Sequence, residues 1–310
     1  MATTVTQVPA LGGTSLPRSA GRANFAGALR SEFTKIRSVR STYWTLFALI
    51  VVCVGIGALS SWGEASQMAR LASGAGGPFH PGLRVGGPPP ASVIAHLRAV
   101  RVGRAASQSL FGLLIGQLII VVLGSLTMTA EYSTGMIRTS LSTMPRRGTV
   151  FAAKAVVFGG VALVVGLITS FLAFFVGQAI MSSQHINTTL GHPGVLRVVI
   201  GGGLFLAVCG LLSFGLGAVL RHTAGAIASA IGLLFVLWIL GNFLPSPPSG
   251  WFGQADIDKW IPFNAGAGIW LQNGLNGTNP FSPWVGFGVF CAYAAVALIA
   301  GLILFQKRDA

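Results

Sequence analysis

Residues Ser125 to Ala155 read "SLTMTAEYSTGMIRTSLSTMPRRGTVFAAKA", a polar island between two apolar runs. Before it stands "LFGLLIGQLIIVVLGSLTMT", and after it "VVFGGVALVVGLITSFLAFFVGQAIM". Each run exceeds about 18 residues without a charge, enough to cross a hydrocarbon core of about 30 Å as a helix. The island holds one acid, Glu131, where the first run ends, and three arginines, Arg138, Arg146 and Arg147, before the second. Its reading sets the fold: two membrane spans joined by a short charged connection.

The same pattern holds along the chain. Of 310 residues, 53% are hydrophobic and 8% charged, against roughly 25% charged in a soluble domain. The surface of a water-soluble protein cannot be built from so little charge. A β-barrel would alternate over segments of about 10 residues, and no such alternation runs here. The class is an all-α, polytopic membrane protein. The net charge is +14, with arginine outnumbering lysine sixteen to four. The positive residues fall mainly between apolar runs, so they read as topology and lipid contact rather than nucleic-acid binding. Cys53, Cys209 and Cys291 each sit inside an apolar run and read as small packing residues.

Residues 1–23 have no periodicity and read as a disordered cytoplasmic tail, not a signal peptide. Residues 24–41, "NFAGALRSEFTKIRSVRS", read as an amphipathic connecting helix on the membrane surface. Phe25, Leu29, Phe33, Ile36 and Val39 make its apolar stripe, with Arg30, Lys35 and Arg37 off it. Glu32 falls near the stripe. It reads either as a surface pair with Lys35 or as a contact to a partner protein.

Residues 42–310 then form a six-span transmembrane domain, with spans at about 43–62, 109–129, 155–181, 196–220, 224–244 and 284–305. With the N-terminus inside, thirteen of the 20 Lys and Arg lie on the cytoplasmic side, so both termini are expected there. Arg98, Arg101 and Arg104 oppose this, spaced by three in "ASVIAHLRAVRVGRAA", which suggests a short external helix with a basic edge. Residues 63–108 also hold "SGAGGPFHPGLRVGGPPP", too rich in Gly and Pro for regular structure. Between spans five and six, "DKWIPFNAGAGIWLQNGL" is apolar but too short to cross, and is expected to be a re-entrant or interfacial segment.

No Asp, Glu, Lys, Arg or His falls in the middle of an expected span. Ion-coupled transporters usually carry such a group at membrane depth. Gln117 and Gln178 are polar there and read as interhelical hydrogen-bonding residues. The five histidines are dispersed in loops, and no Cys/His cluster has metal-ligand spacing. No GxxxxGK[ST] phosphate loop occurs. The chain itself therefore offers no catalytic, metal or cofactor-binding residues. If it moves a solute, a separate ATPase has to grip it from the cytoplasm.

The island is where such a grip is expected. A rigid element crossing the membrane surface can pass an ATPase's closure to the spans as a body. Glu131 can accept backbone hydrogen bonds or pair with Arg138. Gly135 allows a sharp turn, and Pro145 ends the segment. Arg146 and Arg147 hold the next span at the headgroups, through topology alone or as part of the coupling element.

These residues carry a family resemblance. "LRSEFTKIRSVRSTYWTLFALIV" and "LTMTAEYSTGMIRTSLSTMPRRGTVFAAKAVV" resemble the membrane subunits of ABC type-2 transporter permeases, actinobacterial ones especially. "WIPFNAGAGIW" is similar to that family's external segment, and "FQKRDA" to its charged tail. The Gly/Pro-rich stretch at 74–90 has no counterpart in this resemblance. What the resemblance implies is a half-transporter of the bacterial plasma membrane. Two six-span subunits, copies or relatives, would pair among membrane lipids, each docked on a cytoplasmic ATPase that binds the ATP and Mg. By motif, Glu131, Tyr132, Gly135, Arg138, Pro145 and Arg146 would form the coupling element. Glu32, Lys35 and Arg37 would lie beside the ATPase. Export of amphiphiles is likewise implied. An ATP-independent transporter or channel, and a membrane immunity or structural factor, are the alternatives.

Overall fold

A computed structural model describes residues 25–73, 90–133, 147–243, 259–272 and 281–307. These residues are helical, with short turns between. Helix α1 (Phe25–Ser38) ends at Val39, whose extended backbone (φ −88°, ψ 105°) breaks the axis before α2 (Arg40–Ala72). Then follow α3 (Ala91–Ser109) and α4 (Leu113–Ser133), α5 (Arg147–Met181) and α6 (Val195–Leu220). Next come α7 (Thr223–Ile231) and α8 (Leu237–Phe243), the short α9 (Pro262–Ala267), and α10 (Pro283–Lys307). Among the described residues, six helical stretches are long and apolar enough to cross a membrane.

Helix α6 is the centre. Its flanks pack on α4, α5 and α10, while α2 packs on α5 and α4. It is buried on nearly every side, including Gly201, Gly202, Gly203, Phe205 and Phe214. A helix apolar all round belongs in such a position. The other spans leave one face open. On α2, Trp44, Phe47, Leu59 and Trp62 are exposed, as a lipid-facing stripe requires. Close approach of α2 and α4 depends on small residues. A Cβ added at Gly112 would fall on the backbone of Cys53, and one at Gly116 on its thiol. Small residues four apart, Gly112 and Gly116, permit this close packing.

The helices depart from the expected spans in three places. Helix α2 runs on through residues 63–72, beyond the end expected for the first span at about residue 62. At about 1.5 Å per residue it overshoots the hydrocarbon core, and the overshoot is held by Glu64, which accepts from Arg101 Nη1 of α3 at 2.7 Å. Helix α5 begins at Arg147, so Lys154 lies inside a helix and not in a connection. The fifth span is interrupted: Gly232–Val236 form a π-helical turn between α7 and α8. Such turns interrupt helices as local bulges, frequently at functional sites.

The apolar segment before α10, expected to be re-entrant or interfacial, holds the short helix α9 and packs into the protein. Phe263, Ile269 and Trp270 are buried. The Phe205 ring lies 5.9 Å from Trp270, 6.1 Å from Phe263 and 5.5 Å from Phe290. Ser107 Oγ on α3 donates to Trp270 O at 3.0 Å and accepts from Gln272 N at 3.0 Å. Non-helical backbone is tolerated at membrane depth where protein covers and satisfies it.

Gln178 behaves as its sequence position suggests. Its Nε2 donates to Ala105 O and Ser109 Oγ, and its Oε1 accepts from Thr188 N. Gln117 does not: it is fully buried, and neither amide atom has a hydrogen-bond partner among the described residues. Nothing in the structure explains its place.

Candidate functional site

The site is built where α1, the end of α4 and the start of α5 meet. Glu32 and Lys35 stand three apart on α1, the spacing that puts two side chains on one helix face. Lys35 Nζ reaches Glu32 Oε1 at 2.7 Å and Glu131 Oε1 at 3.2 Å. Lys154 Nζ, from the third turn of α5, reaches Glu32 Oε2 at 3.0 Å and Glu131 Oε1 at 2.5 Å. Two carboxylates and two ammonium groups thus alternate in a closed, charge-balanced quartet.

Glu32 and Lys154 are each only 5% exposed. A charge so deeply buried costs several kcal/mol unless it is paired. Here each ammonium is held by two carboxylates and each carboxylate by two ammonium groups. Glu131 also stands in the last turn of α4, the negative end of the helix dipole. Its position is unfavourable locally and is offset by the partners that α1 and α5 supply. Burial alone would raise the Glu32 carboxyl. The nearby Lys154 charge and the hydrogen bonds from Lys35 and Lys154 outweigh it, so the group is held below its ordinary value of 4.5. Burial would likewise lower Lys35, but its bonds to Glu32 and Glu131 raise it above 10.5.

The quartet decides how α1 docks. Its inward face is Ala28 and Glu32, while Phe25 and Phe33 of the apolar stripe stay about half exposed. Of the two readings of Glu32, the Lys35 pair forms, and Lys154 extends it into the bundle.

A second cluster ties the same end of α4 to α6 and α10. Arg221 caps α6 in the left-handed region (φ 56°), its N–H donating to Gly217 O. Its guanidinium lies 4.9 Å over the Tyr132 ring, and Nη2 donates to Leu304 O at 3.5 Å. Thr223 Oγ1 donates to Thr129 Oγ1 at 2.9 Å. One end of the bundle is thus cross-tied through Glu131, Tyr132 and Thr129.

Of the residues singled out by sequence, Glu32, Lys35 and Glu131 come together and Tyr132 stands beside them. Arg37 is exposed and belongs to neither cluster. Gly135, Arg138, Pro145 and Arg146 lie outside the described residues. Glu131 has Lys35 and Lys154 as partners, and its expected pairing with Arg138 falls outside the described residues. Sequence reasoning passed over Lys154 and Arg221 as topology charges. The signal for Lys154 was its setting, "VFAAKAVV", a lone cation inside an apolar helical run. Among the described residues, no group of three His, Cys, Asp or Glu could hold a metal ion.

The architecture is that of a multi-pass helical membrane protein whose first helix is tied to the bundle by ion pairs. The family model described as ABC-2 family transporter protein matches residues 27–310, and the chain belongs to that family. It is a permease, a membrane subunit of an ABC transporter, and the family as a whole works with an ABC ATPase partner. No curated protein matches the chain.

Proposed function

We propose that this permease is one half of an ATP-driven exporter, and that the Glu32–Lys35–Glu131–Lys154 quartet joins it to its motor. One observation carries the reading. Helix α1 is held to two spans by ionic bonds, Lys35 to Glu131 on α4 and Glu32 to Lys154 on α5. A soluble ATPase that pushes on α1 or on the connection after α4 would therefore move α4 and α5 with it, as rigid bodies do.

In this reading the quartet, Arg221 and Lys307 face the cytoplasm, with both termini on that side of a bacterial plasma membrane. The basic residues at this end support that orientation. The resemblance to actinobacterial permeases supports the bacterial setting, pairing with a second permease, and export. Gly135, Arg138, Pro145 and Arg146 would continue the coupling element, with Arg37 beside the ATPase. ATP and Mg would bind the partner.

The test is Glu131→Ala in the reconstituted permease–ATPase complex. Insertion and assembly should persist, while the ATPase loses its stimulation by the permease and transport falls at least tenfold. Normal coupling in a well-assembled Glu131→Ala complex overturns the role given to the quartet.

A further inference from the structure

A cavity of about 470 Å³ opens beside the quartet, between α1, α2, α4 and α5. That volume lies within the usual range for small-molecule sites, about 300–1,000 Å³. Its lining is graded. At one end stand Glu131 and Lys35, and at the other Leu46, Ile120, Phe158 and Val161. A charged end beside an apolar pocket, at the membrane surface, suits an amphiphile lying with its head at the quartet and its body among the spans.

The hydrogen-bonding pattern selects the head. Of the five hydroxyls of the lining, three have already used their protons. Ser38 donates to Lys35 O, Thr45 to Ser41 O and Thr127 to Leu123 O. What each turns outward is a lone pair. Both lysines are engaged by two carboxylates. Both reach Glu131 through Oε1, so neither engages Oε2. The polar end is rich in acceptors and holds its cations in ion pairs.

We infer that this cavity binds an amphiphile with a protonated primary amine, its N–H groups donating to Glu131 Oε2 and the Thr45 and Thr127 hydroxyls. An ammonium matches acceptors in hydrogen bonding and a carboxylate in charge. A sulfate or carboxylate head brings only acceptors and meets Glu131 as a like charge. The occupant sits against α1, α4 and α5 at once, the three elements of the quartet. The inference does not rest on ATP coupling, because occupancy is read without ATPase or nucleotide.

The test uses the full chain in phosphatidylcholine nanodiscs with radiolabelled dodecylammonium, and dodecyl sulfate as the matched anion. Saturable binding of one amine per chain is expected, at least tenfold tighter than the sulfate. Thr45→Val with Thr127→Val, which keeps shape and removes two acceptors, should weaken the amine about tenfold or more. Val161→Phe should block it by filling the cavity. Equal binding of amine and sulfate by the unaltered chain overturns the inference without need of any variant. So does undiminished amine binding by a folded Val161→Phe protein. Adding phosphatidylethanolamine separates the sources. Displacement by this lipid, and not by phosphatidylcholine, makes the occupant a membrane lipid. Its failure to displace leaves a soluble amine as the occupant. Both results support an ammonium site.

Discussion

Lys154 on α5 donates to Glu32 on α1 at 3.0 Å, with both groups almost fully removed from solvent. This bond makes α1 part of the bundle and not merely a helix lying near it.

Lys154→Met should therefore be among the costliest single substitutions in the chain. It leaves two buried carboxylates sharing Lys35, and breaking a buried pair costs about 3–5 kcal/mol. The unfolding midpoint of the purified protein should fall sharply. Adding Glu32→Gln should recover part of the loss, because one of the stranded charges is then gone. Equal midpoints for the single and double variants would show that the pair is not energetically coupled.

Docking of α1 should be insensitive to pH over a wide window. Glu32 is held below 4.5 when folded, so its contribution is present above that value and is lost as pH falls through the lowered one. Lys35 is held above 10.5, so its contribution is present below that value and is lost as pH rises through the raised one. Hydrogen exchange in residues 25–38, corrected for intrinsic rate, should be flat between those limits and rise outside them. A step near neutral pH would contradict this.

Gly112→Leu should separate α2 from α4. Even the first carbon of the new side chain meets the backbone of Cys53, which cannot rotate away. Overpacking of this kind costs about 1–3 kcal/mol or more. Reduced folded yield and a lower unfolding midpoint are expected. Gly55→Ala, with open space around its Cβ, serves as the control and should be mild.

Ser107→Ala should loosen the apolar segment before α10. The hydroxyl donates to Trp270 O and accepts from Gln272 N, and leaving a buried polar group without its partner costs about 1–3 kcal/mol. Faster amide exchange at residues 268–272, with α6 unchanged, is the expected signature.

The spans were legible because an apolar run of membrane length has few other uses in a chain so poor in charge. The amphipathic helix was legible from the spacing of Leu29 and Ile36 among basic residues. Glu32 and Glu131 stood out as charges at odds with their surroundings, and Lys35 as a neighbour able to pair with Glu32. Their mutual contact did not, because Lys35 and Glu131 are far apart in sequence and their approach depends on how α1 folds back on the bundle. Lys154 was hidden for a related reason: a lysine near a membrane boundary looks the same whether it faces headgroups or a buried acid. The break at Gly232 and the burial of Trp270 depend on packing around α6, and no local pattern announces either.

In the proposed function a separate ATPase drives this permease. The most direct measurement is mild-detergent purification of the tagged chain from its native membrane, with mass spectrometry of what accompanies it. A soluble P-loop ATPase is expected in stoichiometric amount, retained by the unaltered chain and reduced when Glu32 and Glu131 are both replaced by alanine. A folded, abundant preparation with no such ATPase would contradict it.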